Sequence, residues 1–221
     1  MVAGDGLDIG SMSGFNFTEQ PKLVRSLYAW PAELFEVQDL DDRAYLALYL
    51  ALIGDISLIT AVFPLPIVTM MRALETRAEA LATDLAAGRL DGAKHLDATQ
   101  RAFFMTYAKP RPELAARVRR VPTTPVEQRA QLVFPKLRLL YCWTTSTAGL
   151  YVPEAKRRLG PGVAVRDAIF AASEAWCNVP LGEDAPGGPV AVDAVYMEFI
   201  EEAAYQAGGR ETITATELVE G

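Results

Sequence analysis

Two short apolar runs, Leu137–Trp143 and Val163–Phe170, constrain the fold of this chain more than any other feature. Each has the length of a buried strand, and each stops at small or hydroxyl-bearing residues. Thr144–Thr147 follow the first run and Ala171–Ser173 follow the second. Between them, Ser146 or Thr147 can cap a helix running to Leu159, with Lys156, Arg157 and Arg158 near its negative end and Gly160 behind it. Neighbouring parallel strands would bring both hydroxyl-rimmed tips to one edge of a sheet. That is where ligands bind in open α/β folds.

Upstream the periodicity alternates between helix and strand. Asp41 and Asp42 precede Tyr45, Leu46, Leu48, Tyr49 and Leu52, a helical spacing with acids at its positive end. Ile56–Phe63 is a β-rich run that ends at proline. Beyond Pro66, the spacing Ile67, Met70, Met71, Leu74, Leu81, Leu85 predicts one amphipathic helix closed by Gly88. Leu90–Thr123 reads as short helices with connections, one starting at Arg111-Pro112-Glu113, and Thr124-Pro125-Val126-Glu127 reads as a capping box. Downstream, Gly182–Gly188 is turn-rich, Val190–Ile200 reads as a strand, and Thr212–Val219 alternates weakly, as an edge strand does. The order suggests an α/β layer fold with a mostly parallel sheet flanked by helices. Residues 1–25 form a loose lead-in to a single domain at 26–221.

Composition narrows the functions available. A chain of 221 residues with 51% hydrophobic and 22% charged residues has ample material for a core. Its mean hydropathy of +0.12 excludes a disordered polymer. A net charge of -7 argues against nucleic acid, whose phosphates require clustered Lys and Arg, and against anionic membrane surfaces. Cys142 and Cys177 have neither metal nor redox spacing, which fits a reduced cytoplasm. Met1–Gly10 lacks a basic start and an apolar stretch, so it is not a secretory signal. Ala44–Met71 is apolar, but Asp55 interrupts it and Pro64 and Pro66 break its second half. An aspartate at mid-bilayer costs about 2.5–3.5 kcal/mol, and neither uninterrupted piece is long enough to span.

The residues with chemical potential gather after the two runs. In Ala171-Ala172-Ser173-Glu174, small residues admit a phosphate close to the backbone, a hydroxyl can donate to it, and a carboxylate offers a hard oxygen to Mg²⁺. The plainer alternatives are that Thr144–Thr147 only cap the next helix and that Glu174 is a surface carboxylate. Trp176 is equally readable as a core residue. His95, the only histidine, has no second ligand nearby in sequence and reads as a surface residue. Asp41-Asp42 and Glu201-Glu202 read as solvated or capping groups, and Arg117–Arg120 as a solvated helix face. Glu198, between aromatics, belongs either at a pocket edge or outside it. Nothing matches a Ser-His-Asp nucleophile, a zinc site or a dinucleotide fingerprint.

Taken together, Tyr151-Val152-Pro153, Ala171-Ala172-Ser173-Glu174 and Tyr196-Met197-Glu198-Phe199-Ile200, in this order and spacing, resemble the Gretchen Hagen family of acyl-acid amido synthetases. That family is a branch of the adenylate-forming superfamily. The similarity runs from about Ser26 to Glu220 and includes Tyr28–Glu36 and Leu139–Pro153; Cys142-Trp143-Thr144 looks more bacterial than plant-like. The resemblance implies part of an adenylate-forming N-terminal domain that uses ATP and Mg²⁺. A carboxylic acid would be adenylated, and an amino acid would then displace AMP to form an amide. Residue by residue, Ser173 matches the hydroxyl facing the α-phosphate and Glu174 the carboxylate associated with Mg²⁺. Thr145, Ser146 and Ala172 match the segments lining the nucleotide, and Ala171 and Trp176 flank the acyl substrate.

The chain also departs from that family's pattern. The serine-, threonine- and glycine-rich phosphate loop has no counterpart, since Gly10-Ser11-Met12-Ser13-Gly14 is short and lacks the following lysine. The ribose-binding aspartate and the mobile C-terminal domain have none either. The expectation is therefore an incomplete α/β nucleotide-binding domain, inactive by itself. It would be a fragment, one piece of a split enzyme that needs a complementing polypeptide, or a non-catalytic nucleotide- or partner-binding descendant. Uncovered sheet edges would favour self-association. The acid and the amine acceptor are not legible in the sequence.

Overall fold

Asp39 opens the first long helix, its carboxylate accepting the backbone N–H of Asp42 at 2.9 Å. The structure, a computed structural model, describes residues 20–171, 175–182, 187–194 and 196–219. A short helix α1 (Lys22–Arg25) and a 3₁₀ turn (Ala32–Glu36) precede α2 (Leu40–Ile53). Helix α2 is buried on almost all sides of its second half, from Leu48 to Leu52. The apolar stretch Ala44–Met71 runs on beyond α2, and no described helix is long and apolar enough to cross a bilayer. It becomes strand β1 (Leu58–Thr60) and helix α3 (Leu65–Thr76).

The amphipathic run after Pro66 is two helices rather than one. α3 ends at Thr76 and α4 (Ala78–Ala87) begins after Arg77, which leaves helical geometry at φ -106°, ψ 11°. The Thr76 hydroxyl bonds back to the carbonyls of Arg72 and Ala73, a habit that competes with helix continuation. The Arg77 guanidinium reaches Asp41, donating to its carbonyl at 3.1 Å and its carboxylate at 2.7 Å. Gly88 closes α4 in the left-handed conformation, as its sequence position predicts.

Three further helices follow: α5 (Ala98–Met105), α6 (Pro112–Arg119) and α7 (Val126–Val133). Thr124 does not form the predicted capping box. Its hydroxyl donates to the Arg120 carbonyl at 2.8 Å, closing the preceding turn, so α7 starts behind Pro125 without a side-chain cap.

Strands β2 (Leu139–Cys142) and β3 (Ala164–Asp167) complete a three-stranded parallel sheet in the order β1-β2-β3. The register aligns Ile59, Leu140 and Val165 in one row. Burial alternates along β2 and β3, so one face packs on the helices and the other stays partly open. The predicted helix between these strands is again two pieces, α8 (Ser146–Gly149) and α9 (Val152–Leu159). Helix α9 lies against α7 and α3, and α4 against α6.

An ion-pair network pins this helical layer. Arg158, only 8% exposed, bridges Glu154 at 2.6 Å and Glu75, which also binds Arg129 at 2.9 Å. Glu154 further accepts from Arg157 at 2.8 and 3.0 Å, and the hydrogen bonds from Arg157 and Arg158 hold its carboxyl down at about 2. Two buried aspartates fasten loops. Asp42 accepts the N–H groups of Lys94 and His95, and Asp84 accepts the Tyr45 hydroxyl at 2.7 Å and the Gly92 N–H at 2.9 Å. Burial is the main reason the Tyr45 phenol is pushed far up, followed by that hydrogen bond. Gly92 is obligatory because a Cβ there would fall 2.2 Å from the Tyr45 ring.

After β3 the chain is less regular. Val190–Ile200 is not one strand: Val190 forms an isolated bridge with Asn178, residues 192–194 turn, with the Ala194 N–H on the Ala191 carbonyl, and β4 (Glu198–Phe199) is the strand among its described residues. A short helix α10 (Glu202–Gln206) leads to β5 (Ile213–Thr214), which pairs antiparallel with β4. Beyond β5 the weak alternation gives way to a 3₁₀ turn, Ala215–Glu217, held by a Thr214–Glu217 capping box.

Candidate functional site at the carboxyl edge of the sheet

All three parallel strands run out at the same edge, and a cleft of about 1030 Å³ opens there. Phe63 comes from beyond β1, Trp143 and Thr145 to Ala148 from beyond β2, and Asp167, Ala168 and Phe170 from the end of β3. The opposite wall is built by Cys177, Asn178, Gly187 and the segment around β4. The cleft is therefore the crevice that a parallel sheet leaves beyond its strand ends.

One wall is aromatic. Phe63 and Trp143 meet edge to face with centroids 5.6 Å apart, and the Trp143 indole donates to the Ile169 carbonyl at 3.0 Å. That hydrogen bond fixes the plane of the ring. The Tyr141 hydroxyl accepts the Ile169 N–H at 3.1 Å, so the chain leaving β3 is strapped to β2 twice. The second lip is held by Asn178, whose side-chain amide oxygen Oδ1 accepts the Phe170 N–H at 2.7 Å.

The other wall carries hydroxyls. Thr145 is the residue before α8, yet its side chain makes no cap hydrogen bond, and neither Ser146 nor Thr147 caps α9. Capping therefore does not account for this cluster of hydroxyls, contrary to the simpler reading of the sequence. Ser146 lies in the left-handed region at φ 52°, a conformation that costs a non-glycine residue about 1–3 kcal/mol and persists only where its surroundings enforce it. Gly149 permits the tight approach, because a Cβ would stand 2.8 Å from the Thr144 carbonyl.

Thr145 and Ser146 thus line the cleft. Ala171 and Trp176 pair with each other in an antiparallel bridge; neither is among the lining residues, and Trp176 is 67% exposed rather than in the core. Ala172, Ser173 and Glu174 lie outside the described residues, although Phe170 and Ala175 on either side of them line the cleft. Glu198 sits on the rim, exposed, with its carboxylate accepting the Thr212 hydroxyl at 3.1 Å.

Asp167 is the residue that sequence reasoning missed. It is buried at the tip of β3 and accepts the Thr144 N–H at 2.8 Å and the Gly187 N–H at 2.7 Å. The available signal was an acid inside the apolar run Val163–Phe170. Its neighbour Cys142 is buried too, and burial raises that thiol to about 11, so it is inert at neutral pH. Both cysteines are free.

Away from the cleft, His95 does find neighbours that its sequence surroundings hide. Its Nδ1 lies 3.4 Å from Asp39 and 3.6 Å from Asp42, an exposed ring beside the amino end of α2. Asp42 is buried rather than solvated, and Arg119 pairs with Glu79 at 3.1 Å rather than facing water alone.

The sequence model of the GH3 family N-terminal domain matches residues 3–165, well over half of the chain and including the lead-in. No curated protein matches. Among solved structures, the GH3.15 acyl acid amido synthetase superposes with a TM-score of 0.72 at 22% identity, over 90% of this chain and 37% of that one. The AtGH3.15 acyl acid amido synthetase in complex with 2,4-DB gives 0.68 at 21% identity, over 82% and 32%. At such identities the likeness bears on fold, and the α/β architecture is the shared one. The chain spans about a third of the length of these structures.

Proposed function

The chain belongs to the GH3 family, and from that premise we propose that its cleft is part of the nucleotide and acid site of an acyl-acid amido synthetase. The observation that carries this reading is the convergence of three parallel strand ends on one cleft with a hydroxyl lip and an aromatic wall. Adenine and an apolar acid both suit the Phe63–Trp143 wall, and phosphate oxygens suit the Thr145–Ser146 lip. One of the two structural relatives is a complex with 2,4-DB, which favours a small molecule as the occupant here.

In the proposed reaction a carboxylate oxygen attacks the α-phosphorus of ATP, pyrophosphate leaves, and an amino acid amine displaces AMP from the acyl carbon. This chain's contribution is to position the reactants and exclude water. By resemblance, the Ser173 hydroxyl donates to the α-phosphate, Ala172 admits it to the backbone, and Glu174 is the ligand for Mg²⁺. Ala171 and Trp176 flank the acyl group. The described lining contains no Lys or Arg, while Asp167 has both carboxylate oxygens engaged by backbone N–H groups. A polyphosphate entering this cleft therefore fits best with a divalent cation, whose charge offsets that of the phosphates. A cytoplasmic setting, rich in ATP and reducing toward Cys177, is consistent with the same reading.

The test is titration of MgATP into this polypeptide and its Glu174→Ala variant. We expect binding that needs Mg²⁺ and weakens by about tenfold or more in the variant, the range for loss of a metal-supporting group. Equal affinity with and without Mg²⁺, or an unaffected variant, would remove Glu174 from the proposal. Acid-dependent ATP–pyrophosphate exchange is expected to be absent from these 221 residues alone, since they span about a third of the relatives. A second reading, a module that binds nucleotide or a protein partner without catalysis, is favoured by the exposed Phe170 and Tyr196 in the cleft lining. Restoration of exchange by a complementing polypeptide separates the two.

A further inference from the structure

Asp167 has a position that no other described acid shares. It is the last residue of β3, 4% exposed, and its two carboxylate oxygens are divided between opposite lips of the cleft. One oxygen accepts the N–H of Thr144, where the chain leaves β2 for the hydroxyl lip, and the other accepts the N–H of Gly187, where the facing lip begins. We propose that Asp167 is the positioning residue of the cleft, a strap that sets the spacing between the hydroxyl lip and the Gly187–Gly188 lip. This rests on the reading that the cleft takes a ligand.

Three features make a strap necessary. Neither lip is held by regular structure: Thr144 and Thr145 lie between β2 and a helix of one turn, and Gly187 belongs to no strand. The hydroxyl lip is strained at Ser146, so its shape must be imposed from outside. The facing lip is as constrained, since Gly187 has φ 76° and a Cβ on Gly188 would fall 2.2 Å from the Val179 carbonyl. A carboxylate accepting two N–H groups is a strong, charge-assisted acceptor, and burial makes each lost bond expensive. Asparagine at this position keeps the volume but has one acceptor oxygen, so one of the two lips must be released.

Asp84 supplies the control. It is also buried and also accepts from two donors, Tyr45 and Gly92, although both meet one oxygen, Oδ2, within the helical layer and outside the cleft lining. In the unmodified protein, hydrogen exchange should find the amides of Thr144 and Gly187 protected to similar degrees although both lie in loops. In Asp167→Asn, exchange at one or both should accelerate about tenfold or more while the Gly92 amide is unchanged, and MgATP should bind about tenfold more weakly. In Asp84→Ala, which removes the shared oxygen, the pattern should invert: Gly92 opens and MgATP affinity stays within about twofold, even where the melting temperature falls as much.

The proposal is overturned if Thr144 and Gly187 exchange freely in the unmodified protein, or if Asp167→Asn leaves both amides protected. It is equally overturned if Asp84→Ala costs as much affinity as Asp167→Asn at equal loss of melting temperature, because Asp167 would then be only structural. Should Asp167→Asn fail to fold, the protection of the two amides in the unmodified protein decides. If the unmodified protein binds no MgATP, the nucleotide reading fails, and exchange at the two amides still supports or overturns the strap.

Discussion

The chain up to Asp167 and the chain beyond it are stabilised in different ways. Before that point the helices α2 to α9 and strands β2 and β3 contribute buried residues, from Tyr45 and Leu46 on α2 to Leu159 and Val165 near the end. Beyond it, among the described residues, none is buried, and Phe170, Leu181 and Tyr196 are largely exposed. The first region draws its stability from apolar packing between α4, α6, α7 and α9. The second is held by paired backbone segments and single side-chain hydrogen bonds. The cleft lies on the boundary, with its floor in the rigid region and one lip in the other. This is how a binding site is commonly built: positioning groups on a packed scaffold, adaptable loops above.

Substitutions on either side can break or sharpen that contrast. The largest effect should come from Leu81→Ala, a fully buried residue of α4, the helix that lies against α6, at about 2–5 kcal/mol in denaturant melts. Arg158→Ala should follow at about 1–3 kcal/mol, less than an isolated buried pair, because Glu75 keeps Arg129 and Glu154 keeps Arg157. The same network gives an acid limit. The Glu154 carboxyl is depressed to about 2, so its contribution is complete above its ordinary value of 4.5 and is lost as pH falls toward 2. Glu154→Gln should flatten that part of the stability–pH curve, and an unchanged curve would show the pairing to be inconsequential.

Smaller effects are expected at the cleft. Ser146→Gly should stabilise the fold by about 1 kcal/mol by relieving its positive φ, and it should weaken ligand binding through loss of the hydroxyl. Destabilisation would mean that the hydroxyl is structural. The smallest effect belongs to Trp176→Ala, within about 0.5 kcal/mol, because the ring is mostly in solvent. A loss as large as that of Leu81→Ala would erase the distinction between the two regions.

The same boundary governs what was legible beforehand. Helices α2, α4 and α6 and the three parallel strands follow from local spacing and from acids, prolines and glycines at their ends. Local chemistry misled where a hydroxyl had a competing acceptor. Thr76 broke a helix by bonding backwards, and Thr124 spent its hydroxyl on the preceding turn instead of a cap. Val190–Ile200 alternates as a strand should, but its pairing is split: Val190 bridges Asn178, residues 192–194 turn, and Glu198–Phe199 find β5. At the site, Thr145 and Ser146 were legible because they follow a strand. Asp167 was not, because its role depends on Thr144 and Gly187, 23 and 20 residues away in sequence. His95 is the surface residue that the sequence suggested, but its approach to Asp39 and Asp42 was hidden for the same reason.

The central claim is that the crevice beyond β1, β2 and β3 is where this chain receives a nucleotide. Backbone amide chemical shifts recorded while MgATP is added test it most directly. Saturable shifts are expected at Thr145, Ser146, Ala148, Asn178 and Gly187, with the helical layer quiet. Saturable shifts confined to the smaller cavity between Ser26–Ala29 and Tyr107–Arg111, or none at any concentration that leaves the protein folded, would contradict it.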